Sequence, residues 1–314
     1  MASLLKKFLF TATLTTVMLV AVGLLGTTAK AQTPESPVSL PVASEYTMAC
    51  AGYIASGPAS EEIQIVGADR ESEHDMFADG DIVYLNKGRG SNVQLGAEYQ
   101  IVRNIGPVKD FKGGKVVGTL IYELGLLRVI ALQDNTATAQ IKVACRPISF
   151  GDAAVPYDKK VSPTPRPYKP LSVAGTPTGR TSGQILAAPD NREFLAQNDI
   201  VYLNIGADNG VKVGDYLTIY RRLGSDGITR FRDDRVGSPR RRDYSSDRYN
   251  SRDNTSIATV TKPKPQIIEQ VPRNTLPRAL IGEVVIVRVE ANAATAIITR
   301  TTREAYPGDF VELQ

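Results

Sequence analysis

The chain has 314 residues, 42% of them hydrophobic, with no tryptophan, two cysteines and a single histidine. Its formal charge of +4 becomes +1 once residues 1–31 are set aside, because Lys6, Lys7 and Lys30 leave 34 basic against 33 acidic side chains. That balance leaves no electrostatic footprint for nucleic acid, and two cysteines with one histidine make a poor metal site, so neither nucleic acid nor a cofactor is expected.

The first 31 residues read as an address. Lys6 and Lys7 precede an apolar run from Phe8 to Leu25, and Ala29-Lys30-Ala31 has the small-x-small spacing that a signal peptidase accepts. Cleavage is expected between Ala31 and Gln32. An uncleaved anchor is the alternative, since the run is at the lower edge of a spanning length of about 18–20 residues. No cysteine follows the run, which excludes lipid attachment at that point. No later stretch is long and apolar enough to span a bilayer. The expected product is therefore exported, periplasmic or envelope-associated, and peripheral at most to a membrane.

Residues 32–44 read as a disordered lead and 45–152 as a first β-module. Short stretches rich in β-branched and aromatic residues follow one another at 47–55, 62–67, 81–85, 98–103, 116–122, 126–132 and 138–144, separated by Gly/Asn/Asp turns. No convincing helical periodicity appears after the apolar run; 71–77 could form one short turn. Cys50 and Cys145 bracket this module. In an oxidising compartment a disulfide is the natural reading, and closing so long a loop stabilises by about 4–5 kcal/mol on the chain-entropy model. A reactive thiol, the rival reading, would want a nearby histidine, and only His74 exists.

Six prolines between 153 and 183 predict a semi-extended linker. The second module, 184–314, repeats the first. Asp81-Ile82-Val83-Tyr84-Leu85-Asn86 returns letter for letter as Asp199-Ile200-Val201-Tyr202-Leu203-Asn204, and the register holds to Arg103 and Arg221 at an offset of 118. Beyond that the offset is 157, pairing Leu124-Gly125 with Ile281-Gly282 and Gly151-Asp152 with Gly308-Asp309. The second module thus carries an insertion of 39 residues, placed at about 223–277 and expected to be disordered because it has too few apolar residues to offset ordering entropy. Within the repeated strand, Ile82 and Tyr84 share one face and Val83 and Leu85 the other, with the same division for Ile200, Tyr202, Val201 and Leu203; Tyr84 and Tyr202 are expected in the core.

This pattern of strand, Asn-x-Gly, Gly-Val-Lys-Val-Gly-Asp, strand, Gly-Glu-Val-Val-Ile-Val, Ala-Thr-Ala and Gly-Asp resembles the C-terminal domain of flagellar assembly protein T. It is also similar to the β-domains that accompany LysM modules in exported bacterial proteins. The resemblance covers most of both modules and implies small antiparallel barrels of the bacterial envelope without enzymatic activity. No LysM repeat is present, nor the other domains of the flagellar protein. The fold expectation is all-β: two tandem small antiparallel β-barrels, SH3-like or related, after a signal peptide.

Chemistry is sparse. The duplicated acids, Asp81 with Asp199 and Asp152 with Asp309, sit at turns where aspartate satisfies local backbone. The feature beyond scaffold is the insertion's charge: residues 221–253 hold ten arginines and six aspartates. Arg240, Arg241, Arg242 and Arg248, with Tyr244, form the candidate polyanion-binding set, because guanidinium forks take phosphate and carboxylate and stack on rings. A solvated, self-paired loop is the competing account. The expected function is a non-enzymatic exported scaffold of two repeated modules with an envelope protein as partner. The alternative is attachment to a cell-surface polyanion (cell wall, lipopolysaccharide or acidic polysaccharide) through the arginines, and a flagellar accessory role is a branch of the first.

Overall fold

A computed structural model describes residues 41–69, 75–111, 113–167, 170–172, 174–222 and 278–314. The fold is antiparallel β throughout, in two sheets. The N-terminal sheet takes β1 (Tyr53–Ala55), β2 (Ile65–Ala68), β3 (Ile82–Leu85), β4 (Glu98–Lys109), β5 (Val116–Leu132), β6 (Ala137–Ala144) and β7 (Ala153–Pro156) in the order β2-β3-β6-β5-β4-β7, with β1 added along β5. The C-terminal sheet takes β8 (Ala174–Gly175), β9 (Ser182–Ala187), β10 (Ile200–Leu203), β11 (Tyr216–Arg222), β12 (Arg278–Val289), β13 (Ala294–Thr301) and β14 (Phe310–Leu313). Here β11 pairs with both β14 and β12, so β11-β14-β9-β10-β13-β12 closes into a six-stranded barrel with β8 outside it.

The alternation read from the sequence fills these interiors. Val83 and Leu85 face the N-terminal core beside Ile101, Leu124 and Ile141. Val201 and Leu203 face the C-terminal core beside Ile219, Ile281 and Ile298. The aligned offsets are visible in the ladders: Arg103 pairs with Tyr122 and Arg221 with Ala279, each after a bulge that skips Leu124 or Ile281. Gly88 and Gly206 are needed for close backbone approach. A Cβ on Gly88 would lie 2.4 Å from the Gln133 carbonyl oxygen, and one on Gly206 2.3 Å from that of Glu290.

Closure separates the sheets. In the C-terminal barrel β14 runs along β9 from Phe310↔Gln184 to Glu312↔Ser182. The aligned stretch of the N-terminal sheet makes one bridge, Gln64↔Ala153, flanked by Ile65 N–H to Asp152 C=O at 3.0 Å and Ala154 N–H to Ile63 C=O at 2.8 Å. Asn104 holds the chain just before this stretch. Its side chain accepts from Ala59 N–H and donates to Ala59 C=O and Glu61, which ties 59–61 to β4. One closed barrel therefore stands where two were expected.

Three further expectations change. The stretch 47–55 is not one strand: Ser44 caps a short helix, α1 (Glu45–Ala49), accepting from Thr47 N–H, and only Tyr53–Ala55 is extended. The start of the proline-rich stretch, residues 153–163, is tied down. Its first residues form β7 on β4, and Pro163 C=O and Ser162 Oγ accept from Val42 and Ala43 N–H. The last residues of the expected lead are thereby docked, with Ala43 and Met48 packed on Val285, Val287 and Ile297 of the barrel's outer face. Finally, Tyr202 is buried but on the barrel's exterior, while Tyr84 is only half-buried.

Candidate functional site at the seam and the arginine root

The candidate set Arg240, Arg241, Arg242, Tyr244 and Arg248 lies outside the described residues, as do Ala31, Gln32 and His74. What is described is the root from which that segment leaves and returns. β11 ends at Arg222, β12 begins at Arg278, and the two face each other in register. Around this exit Arg221 places its fork on Asp309, with both contacts at 2.7 Å, and lies over the Tyr306 ring. Arg222 lies over Phe310 at 4.4 Å, and Arg278 over Tyr220 at 4.2 Å while pairing with Glu312 at 3.0 Å. The network continues to Glu283, which receives Arg166 and Arg300, and Arg166 stacks on Tyr216 at 4.0 Å. Arg180 donates to the Gln314 carbonyl. Among the described residues Arg166 and Arg300 meet Glu283, Arg221 meets Asp309 and Arg278 meets Glu312, with Glu304 beside them on Tyr306.

Electrostatics follow from these contacts. Hydrogen bonding to Asp309 holds the Arg221 guanidinium above the usual arginine range. Burial pushes Glu283 upward, but the bonds from Arg300, Gln314 and Arg166 outweigh it and hold its carboxyl below the ordinary carboxylate value. The aspartates named from sequence do local work. Asp309 accepts from Tyr306 N–H as well as from Arg221, and Asp152 accepts from Ser149 N–H and from Arg103 in the same bidentate way. Asp81 and Asp199 each accept from the N–H three residues earlier, both at 2.8 Å.

The second feature is the seam between the sheets, which sequence reading missed. Glu123, only 2% exposed, accepts from Gly52 N–H at 3.0 Å, from Arg288 at 3.0 Å and from Lys160. Arg288 lies 3.3 Å from the Tyr53 ring centroid. Burial draws the Lys160 ammonium below its ordinary value, against the pull of Glu123. The Tyr202 hydroxyl donates to Ala51 C=O at 2.9 Å and Thr295 to Gly52 C=O at 3.0 Å. Apolar contact adds to this, with Ile54 and Leu120 packed on Leu186, Tyr202 and Ala293. The β4–β5 hairpin reaches across as well, Asp110 accepting from Asn204.

Cys50 and Cys145 are joined, with Cα atoms 5.7 Å apart. The bond fixes 49–52, the stretch whose backbone makes the seam hydrogen bonds, to the end of β6. No family model matches this chain, and no curated protein matches it.

Proposed function

We propose that this chain is a non-enzymatic, exported envelope protein whose two sheets are copies of one SH3-like or related β-module, fused into a single scaffold that displays the arginine-rich insertion to a partner. The observation that carries the reading is the seam. Buried ion pairs, inter-sheet hydrogen bonds and a disulfide converge on 49–53 and join the two sheets, while both ends of the insertion leave the C-terminal barrel side by side at Arg222 and Arg278. The disulfide is compatible with the oxidising compartment that export implies. A scaffold that is already organised on both sides of Arg222 and Arg278 suits presentation, because little of its own freedom is lost when a partner binds.

The arginine root favours a second reading, in which the partner is an envelope polyanion. Guanidinium groups pre-stacked on rings lose little freedom on meeting phosphate or carboxylate, and they would extend whatever surface Arg240, Arg241, Arg242 and Arg248 provide. One experiment separates the two. The protein and a variant lacking 231–254 are co-sedimented with isolated cell walls and outer membranes at low and high salt. Salt-reversible pelleting lost in the deletion supports the polyanion reading, because such contacts are screened over about 10 Å at 0.1 M salt. Salt-resistant capture, also lost in the deletion, supports a protein partner. Equal behaviour of both proteins contradicts display by the insertion.

A further inference from the structure

Beside the seam lies a cavity of about 210 Å³ lined by Cys50, Arg146, Asp190, Arg192, Asn198 and Asp199, with Ala188 and Ile200 among its apolar walls. Its charges alternate and balance: Arg146 forks onto Asp190, with one contact at 3.1 Å, and Arg192 pairs with Asp199. The site is held in place from behind. Arg146 stacks on the Tyr122 ring at 4.3 Å, and the Tyr122 hydroxyl accepts from Asp190 N–H at 3.1 Å. The Arg146 fork holds the Asp190 carboxyl below its ordinary value. At the mouth the side chains of Arg192 and Asp190 are 54% and 58% exposed, leaving guanidinium and carboxylate edges open to a ligand.

The backbone here is unusual. Among the described residues the only non-glycine residues at positive φ are Asp190, Asn191 and Asn198, and two of them line the cavity. Asn198 is informative by comparison. The aligned residue of the N-terminal sheet is Gly80, and the two N–H groups make the same bond, each at 2.8 Å, to Ile298 and Ile141. Where the turn alone would be served by glycine, the C-terminal sheet has an asparagine in the cavity wall.

We infer that this cavity binds a small zwitterion of amino-acid size, a free α-amino acid or short dipeptide. A simple anion would sit against Asp190 and Asp199, and a simple cation against Arg146 and Arg192. A ligand with both charges presents its carboxylate to the arginines and its ammonium to the aspartates, exchanging internal pairs for external ones with the balance kept. The volume is below the several hundred Å³ of a drug-sized pocket, which limits the ligand to one or two small residues.

Calorimetric titration of the purified protein with glycine, L-alanine, D-alanine and glycylglycine tests this, with acetate and methylammonium as single-charge controls. Saturable binding of at least one zwitterion is expected, together with failure of both controls. Arg192→Ala and Asp190→Asn should each weaken binding by about tenfold or more, with circular dichroism unchanged because both side chains are more than half exposed. No saturation by any zwitterion, acetate binding as well as alanine, or full binding retained in both variants would overturn the assignment.

Discussion

The two sheets share their turns and differ in what they do with one strand end. Up to Arg103↔Tyr122 and Arg221↔Ala279 the ladders correspond residue by residue. In the N-terminal sheet the hairpin then runs on to Lys109 and Val116 and lays Val108, Phe111 and Val117 against the barrel. In the C-terminal sheet the same point opens into the insertion, edged by stacked arginines. One hairpin thus packs across the seam, and the corresponding point of the other sheet carries the insertion. The seam uses residues that break the repeat: Glu123 aligns with Leu280, and Arg288 with Ala131.

This asymmetry can be broken in stages. The largest effect is expected from replacing Cys50 and Cys145 by serine. The bond closes a sequence separation of 95 residues, and its loss should cost about 4–5 kcal/mol on the chain-entropy model, read by urea denaturation. It should also loosen 49–52 and raise hydrogen exchange at Gly52 N–H.

Next is Glu123→Leu, which installs the aligned residue of the barrel. It leaves Lys160 and Arg288 without their shared carboxylate and should destabilise by about 3–5 kcal/mol. The same substitution tests whether the seam couples the sheets, since two separate unfolding transitions should then appear.

Smaller effects distinguish the equivalent Arg–Asp pairs. Asp309→Ala and Asp152→Ala should each cost about 2–3 kcal/mol, because each strands an arginine fork and a backbone N–H. Asp309→Ala should be the worse of the two, as Arg221 is the more buried arginine and also stacks on Tyr306. Equal losses in thermal denaturation would contradict that ranking.

The smallest effect is a pH dependence. Glu283 has a folded-state pKa below its ordinary 4.5, so its contribution is fully present above that value and is lost as the pH falls through the lower folded value. Stability of the wild type should therefore drop below pH 4.5 more steeply than that of Glu283→Gln, by denaturation across that range.

How much of this was legible in the sequence depends on range. The repeated letters revealed most of the strands, the turn glycines and the backbone role of Asp152 and Asp309, because those are local requirements recurring at fixed offsets, but not their pairing with Arg103 and Arg221. The disulfide was legible from the presence of only two cysteines bracketing one module, read together with the expectation of export. The seam was not. Glu123, Lys160 and Arg288 are distant in sequence, and alternation could say that Tyr202 faces away from Val201 but not that a second sheet would bury it. Tyr84, the same letter in the same phrase, stays half-buried because nothing comparable covers it. Proline count predicted a semi-extended linker but not that Val42, Ala43 and β4 would hold its residues 153–163.

The central claim is that both sheets behave as one body, and differential scanning calorimetry of the intact, oxidised protein tests it most directly. A single transition with equal calorimetric and van't Hoff enthalpies is the expected result. Two transitions, or a calorimetric enthalpy well above the van't Hoff value, would contradict it and return the sheets to independent modules on a linker.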